Sequence, residues 1–128
     1  FDGKNIPFAD NSFDVVMFVD VLHHTIDPPL LLREARRVSR STIVIKDHSA
    51  DGLLADPTLR FMDWIGNAYH EVALPYNYWS TSKWHKAFDN LGLVPVFWKT
   101  DLGLYPAPLS WWFDRRLHYI ASIAKQPL

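Results

Sequence analysis

The chain has no cysteine, and its five glycines are scattered along the sequence. The first absence excludes disulfides, thiolate zinc sites and a cysteine nucleophile. The second leaves no G-x-G spacing of the kind found in nucleotide-binding loops. No apolar run approaches the roughly 18 residues of a membrane span. Basic and acidic residues number 13 and 14, so no excess of positive charge points to nucleic acid. We therefore expect a cytoplasmic protein that binds neither a membrane nor a nucleic acid.

What the chain does contain is enough apolar material for one core. Its 128 residues are 48% hydrophobic, and no linker or repeat divides them. A chain of this length and composition folds as a single globular unit or as part of one. We therefore treat residues 1–128 as one domain or a fragment of one.

The first third of the chain has an α/β pattern. Residues 13–19 (FDVVMFV) form an apolar, β-branched run, which predicts a strand covered on both faces. Asp27 followed by two prolines predicts a helix start, and the helix should end near Ser39. Its buried stripe should consist of Leu31, Leu32, Ala35 and Val38. Residues 42–46 (TIVIK) then predict a second strand, which completes a βαβ unit.

The rest of the chain predicts two further helices, a short helix and two strands. The second helix begins at Asp56, with Leu59, Met62, Ile65 and Tyr69 facing inward. Residues 75–79 should be irregular, and a third helix capped by Ser80 or Thr81 should run to Asn90 and stop at Gly92. Residues 93–99 and 117–124 predict strands, separated by a loop and short helix at 104–116. Because Pro95 cannot donate a ladder hydrogen bond, it predicts an edge strand or a bulge at the first of them.

One ordered set of motifs resembles a known family. The set is IPF, an acidic turn, SFDVV, VLHH, DP, a helix ending in RRVS and a strand ending in Asp47. It is similar to the type 11 family of class I S-adenosylmethionine-dependent methyltransferases, and the strong match covers residues 1–47. Residues 48–79 fall where the family has a variable substrate-covering insertion, and residues from 80 onward match more weakly.

The resemblance implies a partial Rossmann-like fold, a three-layer α/β sandwich. The chain would supply strands four to seven of a seven-stranded sheet in the order four, five, seven, six, the last strand antiparallel. It would be the C-terminal part of the domain, without the glycine-rich cofactor loop.

The resemblance also implies transfer of a methyl group from S-adenosylmethionine to a small-molecule acceptor. In the family, an acid after the third strand binds the adenine amine, and the end of the fourth strand approaches the methionine part of the cofactor. These positions correspond to Asp2, with Gly3 beside it, and to Val19. Because the rest of the cofactor site would lie outside this chain, we expect the chain alone to be inactive.

The acceptor side is predicted from residues that follow the strands. His48 follows the second strand, where an imidazole suits a general base; the alternative is that it packs beneath the next loop. We expect His24, Asp47, Tyr78 and Trp79 to contact the acceptor, and we expect His23 to satisfy loop backbone groups. The histidines lack metal-ligand spacing, so we predict no metal.

A second hypothesis makes the chain a non-catalytic methyltransferase-like module for binding or assembly. Under either hypothesis the strand at 13–19 forms an uncovered sheet edge, lined by Val15, Val16, Phe18 and Val19. Such an edge invites pairing with another chain. We therefore predict that the isolated chain forms a homodimer through this edge or aggregates.

Overall fold

The computed structural model describes residues 3–67, 69–70 and 74–126. In chain order its elements are β1 (Phe13–Val19), a 3₁₀ turn (Leu22–His24), α1 (Pro28–Val38), β2 (Ser39–His48), α2 (Ala55–Asn67), α3 (Thr81–Asn90), β3 (Leu93–Lys99), α4 (Ser110–Phe113) and β4 (His118–Lys125). Every predicted helix and strand is present, and β2 is longer than predicted.

The four strands form one sheet in the order β1-β2-β4-β3. β1 and β2 are parallel, whereas β4 runs antiparallel to both of its neighbours. This arrangement confirms the predicted strand order and the antiparallel last strand. β3 is an edge strand, and its register shifts between Pro95 and Phe97, as a proline that cannot donate a ladder hydrogen bond requires.

Local sequence signals explain where α1 and α3 begin. The Asp27 carboxylate accepts a hydrogen bond from the Leu30 amide at 3.1 Å, and prolines occupy the first positions of α1. The Ser80 hydroxyl caps α3 by accepting from the Lys83 amide at 3.3 Å. After α3, Gly92 adopts a φ of +60°, the left-handed conformation that commonly ends a helix.

The core lies on one face of the sheet. Ile43 and Ile45 of β2 pair with Ile123 and Ala121 of β4, and these side chains share that face. They cluster with Leu31, Leu32 and Ala35 of α1 and with Trp84, Ala87 and Phe88 of α3. Val38, the fourth predicted inward residue of α1, is buried but lies outside this cluster. Both helices therefore cover the same face, and the described residues form two layers of the expected three-layer sandwich.

The opposite face of β1 corrects one prediction. Val15, Met17 and Val19 are 52%, 67% and 50% exposed, so β1 is not covered on both faces in this chain. Only its Phe18 is buried, at 7% exposure, because it alternates onto the helical side. The prediction that Phe18 lines the exposed edge is therefore wrong, because its side chain is buried in the core.

α2 packs away from the sheet, in a second and smaller cluster. Its Ala55 and Leu59 bury themselves against Leu117, just before β4. The predicted inward residue Ile65 is instead 54% exposed, and Tyr69 follows the helix and is 94% exposed. The predicted stripe was too wide because α2 meets a loop rather than a broad sheet. No helix among the described residues is long and apolar enough to cross a membrane.

Candidate active site

A polar cleft opens where β1 and β2 end. Parallel strands bring their carboxyl ends to the same edge of a sheet, and ligands of open α/β sheets bind there. The cleft has a volume of about 340 Å³. It is lined by Asp20, His23, His24, Lys46, His48, Met62, Asp63, Asn67, Tyr105 and His118.

Asp47 forms the buried base of this region. Its carboxylate is fully buried and accepts hydrogen bonds from the Leu22 amide at 2.8 Å and the His48 amide at 2.7 Å. It also lies 2.6 Å from Nδ1 of His23. Burial by itself raises the pKa of Asp47, but the hydrogen bond and charge of His23 outweigh it and hold the pKa below its usual value. Asp47 is therefore ionised and anchors the 3₁₀ turn to β2.

His23 is a buried cation between two carboxylates. Its Nδ1 faces Asp47, and its Nε2 lies 3.5 Å from Oδ2 of Asp63. Burial lowers the pKa of His23, but the interactions with Asp47 and Asp63 raise it to about 9. His23 is therefore protonated at neutral pH. It is more than a partner for loop backbone groups, because it joins the strand ends to α2.

Asp63 was missed by the sequence analysis. The hydroxyl of Tyr78 donates to its carboxylate, and the Tyr78 ring stacks on His23 with centroids 5.8 Å apart. Burial raises the pKa of Asp63, yet the ion pair with His23 and the hydrogen bond from Tyr78 lower it overall. The only signal in the sequence was a carboxylate four residues after Leu59, on the inward side of an amphipathic helix.

The rings of His48 and His23 lie close together, with centroids 4.3 Å apart. Their pKa values are nevertheless shifted in opposite directions. Burial lowers the pKa of His48, and the positive charge of His23 lowers it further, to about 4. Its Nε2 is 3.8 Å from a carboxylate oxygen of Asp20. His48 is therefore a neutral imidazole at pH 7, in the form that can accept a proton.

Lys46 and Asp20 form the rim of the cleft. The Lys46 ammonium contacts both carboxylate oxygens of Asp20, at 2.6 and 2.7 Å. Asp20 directly follows β1 and has a φ of +52°, and its amide donates to the carbonyl of Lys46 at 2.8 Å. The ends of the two parallel strands are thus locked together at the cleft.

The structure brings some of the predicted acceptor residues together and separates others. His24 and His48 line the cleft, while Asp47 and Tyr78 lie behind it and hold His23 and Asp63. Trp79 is 7% exposed and packs on Trp84 in the core, with ring centroids 4.8 Å apart. This placement does not support the predicted contact between Trp79 and an acceptor.

The predicted cofactor residues form at most one wall of a cofactor site. Asp2 lies outside the described residues. Gly3 is exposed with a φ of +74°, and a Cβ added there would meet open space, so the residues around it form no close cradle. Val19 is half exposed and immediately precedes Asp20 of the cleft. The described residues therefore do not enclose S-adenosylmethionine by themselves.

Two overlapping sets of side chains in the described residues have the composition of metal sites. They are His23, His24 and Asp63, and His23, Asp47 and His48, with possible ligand atoms within 4.8 Å of one another. In each set the carboxylate is already in an ion pair with His23. The expectation of no metal stays a prediction.

Residues 1–45 match the type 11 model of a family described as a methyltransferase domain. The resemblance found in the sequence is confirmed over this N-terminal part of the chain. The solved structures extend the likeness to nearly the whole chain, as a likeness of fold. No sequence among the curated proteins matches.

Three solved structures illustrate the shared fold. One, from Bacillus halodurans and described as a methyltransferase, is 18% identical, with 99% of this chain and 70% of that chain covered and a TM-score of 0.63. A methyltransferase in complex with the Trm112 activator of Haloferax volcanii is 19% identical, with 100% and 60% covered and a TM-score of 0.66. A protein from Galdieria sulphuraria, described as a sarcosine dimethylglycine methyltransferase, is 17% identical, with 98% and 58% covered and a TM-score of 0.66.

The chain thus spans between 58% and 70% of the length of these three structures. At such identities the likeness establishes the fold. The chain has a partial Rossmann-like methyltransferase fold, and the family and fold together support S-adenosylmethionine as the cofactor.

Proposed function

We propose that the intact protein transfers a methyl group from S-adenosylmethionine to a small-molecule acceptor at the cleft beyond β1 and β2. The observation that carries this proposal is a neutral, buried imidazole at the carboxyl ends of parallel strands in a methyltransferase-type sheet. The bound cofactor would supply an electrophilic methyl group on a sulfonium.

His48 is the proposed catalytic residue. In transfer to a hydroxyl acceptor, the bound cofactor would supply the methyl group and would leave as the neutral thioether, and the imidazole of His48 would take up the hydroxyl proton. The carboxylate of Asp20, 3.8 Å from Nε2, lies close enough to stabilise the imidazolium that forms. Because the pKa of His48 is lowered to about 4, its imidazole is neutral and able to take up a proton at every pH above about 4.

Asp47 and His23 are positioning residues in this proposal. Asp47 accepts from the backbone amide of His48 at 2.7 Å and so fixes where β2 ends. His23 packs against the His48 ring and so restricts its orientation. The positive charge of His23 lowers the pKa of His48, and the carboxylate of Asp20 offsets this charge when His48 takes up the proton. Their contribution is to hold the base in one geometry, which is a large part of catalysis in displacement reactions.

The test uses protein expressed from its complete reading frame, with transfer of radioactive methyl from S-adenosylmethionine to a panel of hydroxylated small molecules. We expect His48→Gln to lower kcat by about 100-fold or more, while the affinity for S-adenosylhomocysteine is unchanged. His85→Gln is the matched control, because His85 lies on α3 against Trp98, away from the cleft. If the protein binds no S-adenosylhomocysteine and methylates nothing, the proposal is wrong; if His48→Gln retains full kcat, His48 is not the base.

A non-catalytic binding or assembly module is the second candidate, favoured by the exposed apolar side chains of β1. Among the described residues β1 pairs only with β2, and Val15 and Val19 are half exposed. We propose that the isolated chain dimerises through this edge. Light scattering should report a dimer for the wild type and a monomer for Val15→Lys; a monomeric wild type at high concentration would contradict the pairing.

The cytoplasmic location stays a prediction.

A further inference from the structure

An apolar groove runs from the polar cleft along the surface between α2 and α4. This α2–α4 groove has an inner part of about 290 Å³ and an outer part of about 380 Å³. It is lined by Leu54, Pro57, Thr58, Phe61, Met62, Ile65, Gly66, Tyr105, Trp112 and Phe113. None of these residues carries a charge.

The groove adjoins the cleft. Met62 and Tyr105 line both the cleft and the inner part of the groove. Phe61 and Phe113 line both the inner and the outer part. The cleft, the inner part and the outer part therefore follow one another, as the binding of a single elongated molecule would require.

The walls of the groove hold large apolar surfaces in contact with solvent. Phe61 is 49% exposed, Ile65 54% and Trp112 60%. Contiguous exposed apolar surface is uncommon on soluble proteins and marks sites that another molecule covers. Because this surface leads into the cleft, the molecule that covers it is best explained as the one that reacts there.

Arg115 joins the two walls. Its guanidinium donates to the carbonyl of Leu53 at 3.1 Å and to the hydroxyl of Thr58 at 2.7 Å, both on the α2 side. It also donates to the carbonyl of Trp112 at 2.8 Å and lies 5.7 Å from the centre of that ring. Hydrogen bonds from one side chain therefore connect α4 to the start of α2 and fix the distance between the two walls of the groove.

The charges of the cleft select the head group. The side chains in and behind it include three carboxylates, of Asp20, Asp47 and Asp63, against two cations, Lys46 and His23. All of these charges are already paired with one another. An anionic head group would meet a net negative surface. A protonated amine has no lone pair to accept a methyl group, whereas an uncharged hydroxyl has neither disadvantage.

We propose that the methyl acceptor is an uncharged amphiphile whose hydroxyl head lies in the cleft and whose hydrocarbon tail lies in the α2–α4 groove. The proposal rests on the proposed function, because it assigns the substrate class of that same cleft. The head would sit within reach of His48, and the tail would pass Met62 and Tyr105 toward Trp112.

The test is a binding series of phenol, 4-butylphenol and 4-octylphenol, each below its aggregation concentration, followed by calorimetry. We expect affinity to rise with chain length, at most about fourfold per methylene group, until the groove is filled. A 4-alkylbenzoate with an alkyl chain of equal length should bind at least tenfold more weakly than the phenol, because its carboxylate head is anionic.

Two neighbouring tryptophans provide the matched variants. Trp112 lines the groove, whereas Trp111 is 72% exposed and does not line it. Trp112→Ala should flatten the dependence on chain length, and Trp111→Ala should leave it as in the wild type. Ile65→Asn, at an exposed wall position, gives a second variant that does not depend on α4 folding.

Equal affinity along the series, or equal losses in Trp111→Ala and Trp112→Ala, would overturn the proposal. A groove that instead serves as a contact between two copies would also overturn it; light scattering would then show a dimer that Trp112→Ala dissociates. The outcome is separable from the methyl-transfer assay. Chain-length dependence without methylation would refute the proposed function and leave only a groove that binds amphiphiles. Methylation of short acceptors without chain-length dependence would refute only the amphiphile.

Discussion

The helical face of the sheet and the region beyond its strand ends are built on different principles. On the helical face, Trp84, Phe88 and Ile43 are fully buried and make contacts that any similar apolar set could make. Beyond the strand ends, the structure depends on individual polar partners, such as the carboxylate of Asp47 and the imidazolium of His23. The first region stabilises the fold through the apolar area that it buries. The second region fixes the positions of the side chains in the cleft through individual hydrogen bonds and ion pairs.

The largest expected effect comes from the helical face. Trp84 is fully buried against Trp79 and Phe88, and its indole donates to the carbonyl of His48 at 3.2 Å. Trp84→Ala should lower the free energy of unfolding by about 4 kcal/mol, from lost burial and the cavity left behind. The measurement is urea denaturation followed by circular dichroism.

Trp64→Ala is the control for that change. Trp64 lies on α2 and is 58% exposed, so its replacement should alter stability by no more than about 0.5 kcal/mol. Similar losses in the two variants would contradict the contrast between the regions.

An intermediate effect should come from the charge on His23, and it depends on pH. Because folding raises the pKa of His23 from 6.5 to about 9, the folded protein holds this proton more tightly than the unfolded chain does. The resulting stability is fully present below pH 6.5 and is lost as the pH rises through 9. At most about 3 kcal/mol is involved. Urea titrations at several pH values should show the decline in the wild type.

His23→Gln should remove this decline, and His85→Gln should preserve it. Above about pH 7 His48 contributes little, because its imidazole is neutral in the folded protein and largely neutral in the unfolded chain. Below pH 6.5 its lowered pKa acts in the opposite direction to that of His23, so the comparison is made above about pH 7. Parallel pH curves for wild type and His23→Gln would show that His23 is not the buried cation. A direct check is the nuclear magnetic resonance titration of the His23 ring.

The smallest effect should come from the α2–α4 groove. Arg115→Ala removes the bonds to Leu53 and Thr58 but opens no core cavity. We expect a loss of about 1 kcal/mol in global stability and faster amide exchange confined to α4 and the start of α2. Exchange that increases throughout the sheet would mean that Arg115 supports the core as well.

The same contrast explains which parts of the molecule could be predicted. The starts of α1 and α3 followed from Asp27 and Ser80, whose capping bonds involve residues only three positions away. The edge position of β3 followed from Pro95, whose missing donor acts wherever the proline is placed. Signals of this kind act within a few residues, so they can be interpreted from the sequence without knowledge of the rest of the fold.

The site was less predictable for the same reason. His48 was placed correctly at a strand end, but nothing near it in the sequence indicates that His23 lowers its pKa. Asp63 lies 40 residues after His23 in the chain and meets it only because α2 folds over the strand ends. Trp79 looked like an exposed loop residue, yet packing against Trp84 draws it into the core.

The sequence by itself determined the elements, their order and the family resemblance of residues 1–45, because hydrophobic periodicity, capping and turn chemistry act over a few residues. Only the tertiary structure decided which face of the sheet is covered, which histidine carries the charge and where the groove runs. Burial and electrostatic partners depend on residues that are distant in the chain, and a pKa or an exposed surface exists only once those residues have been brought together.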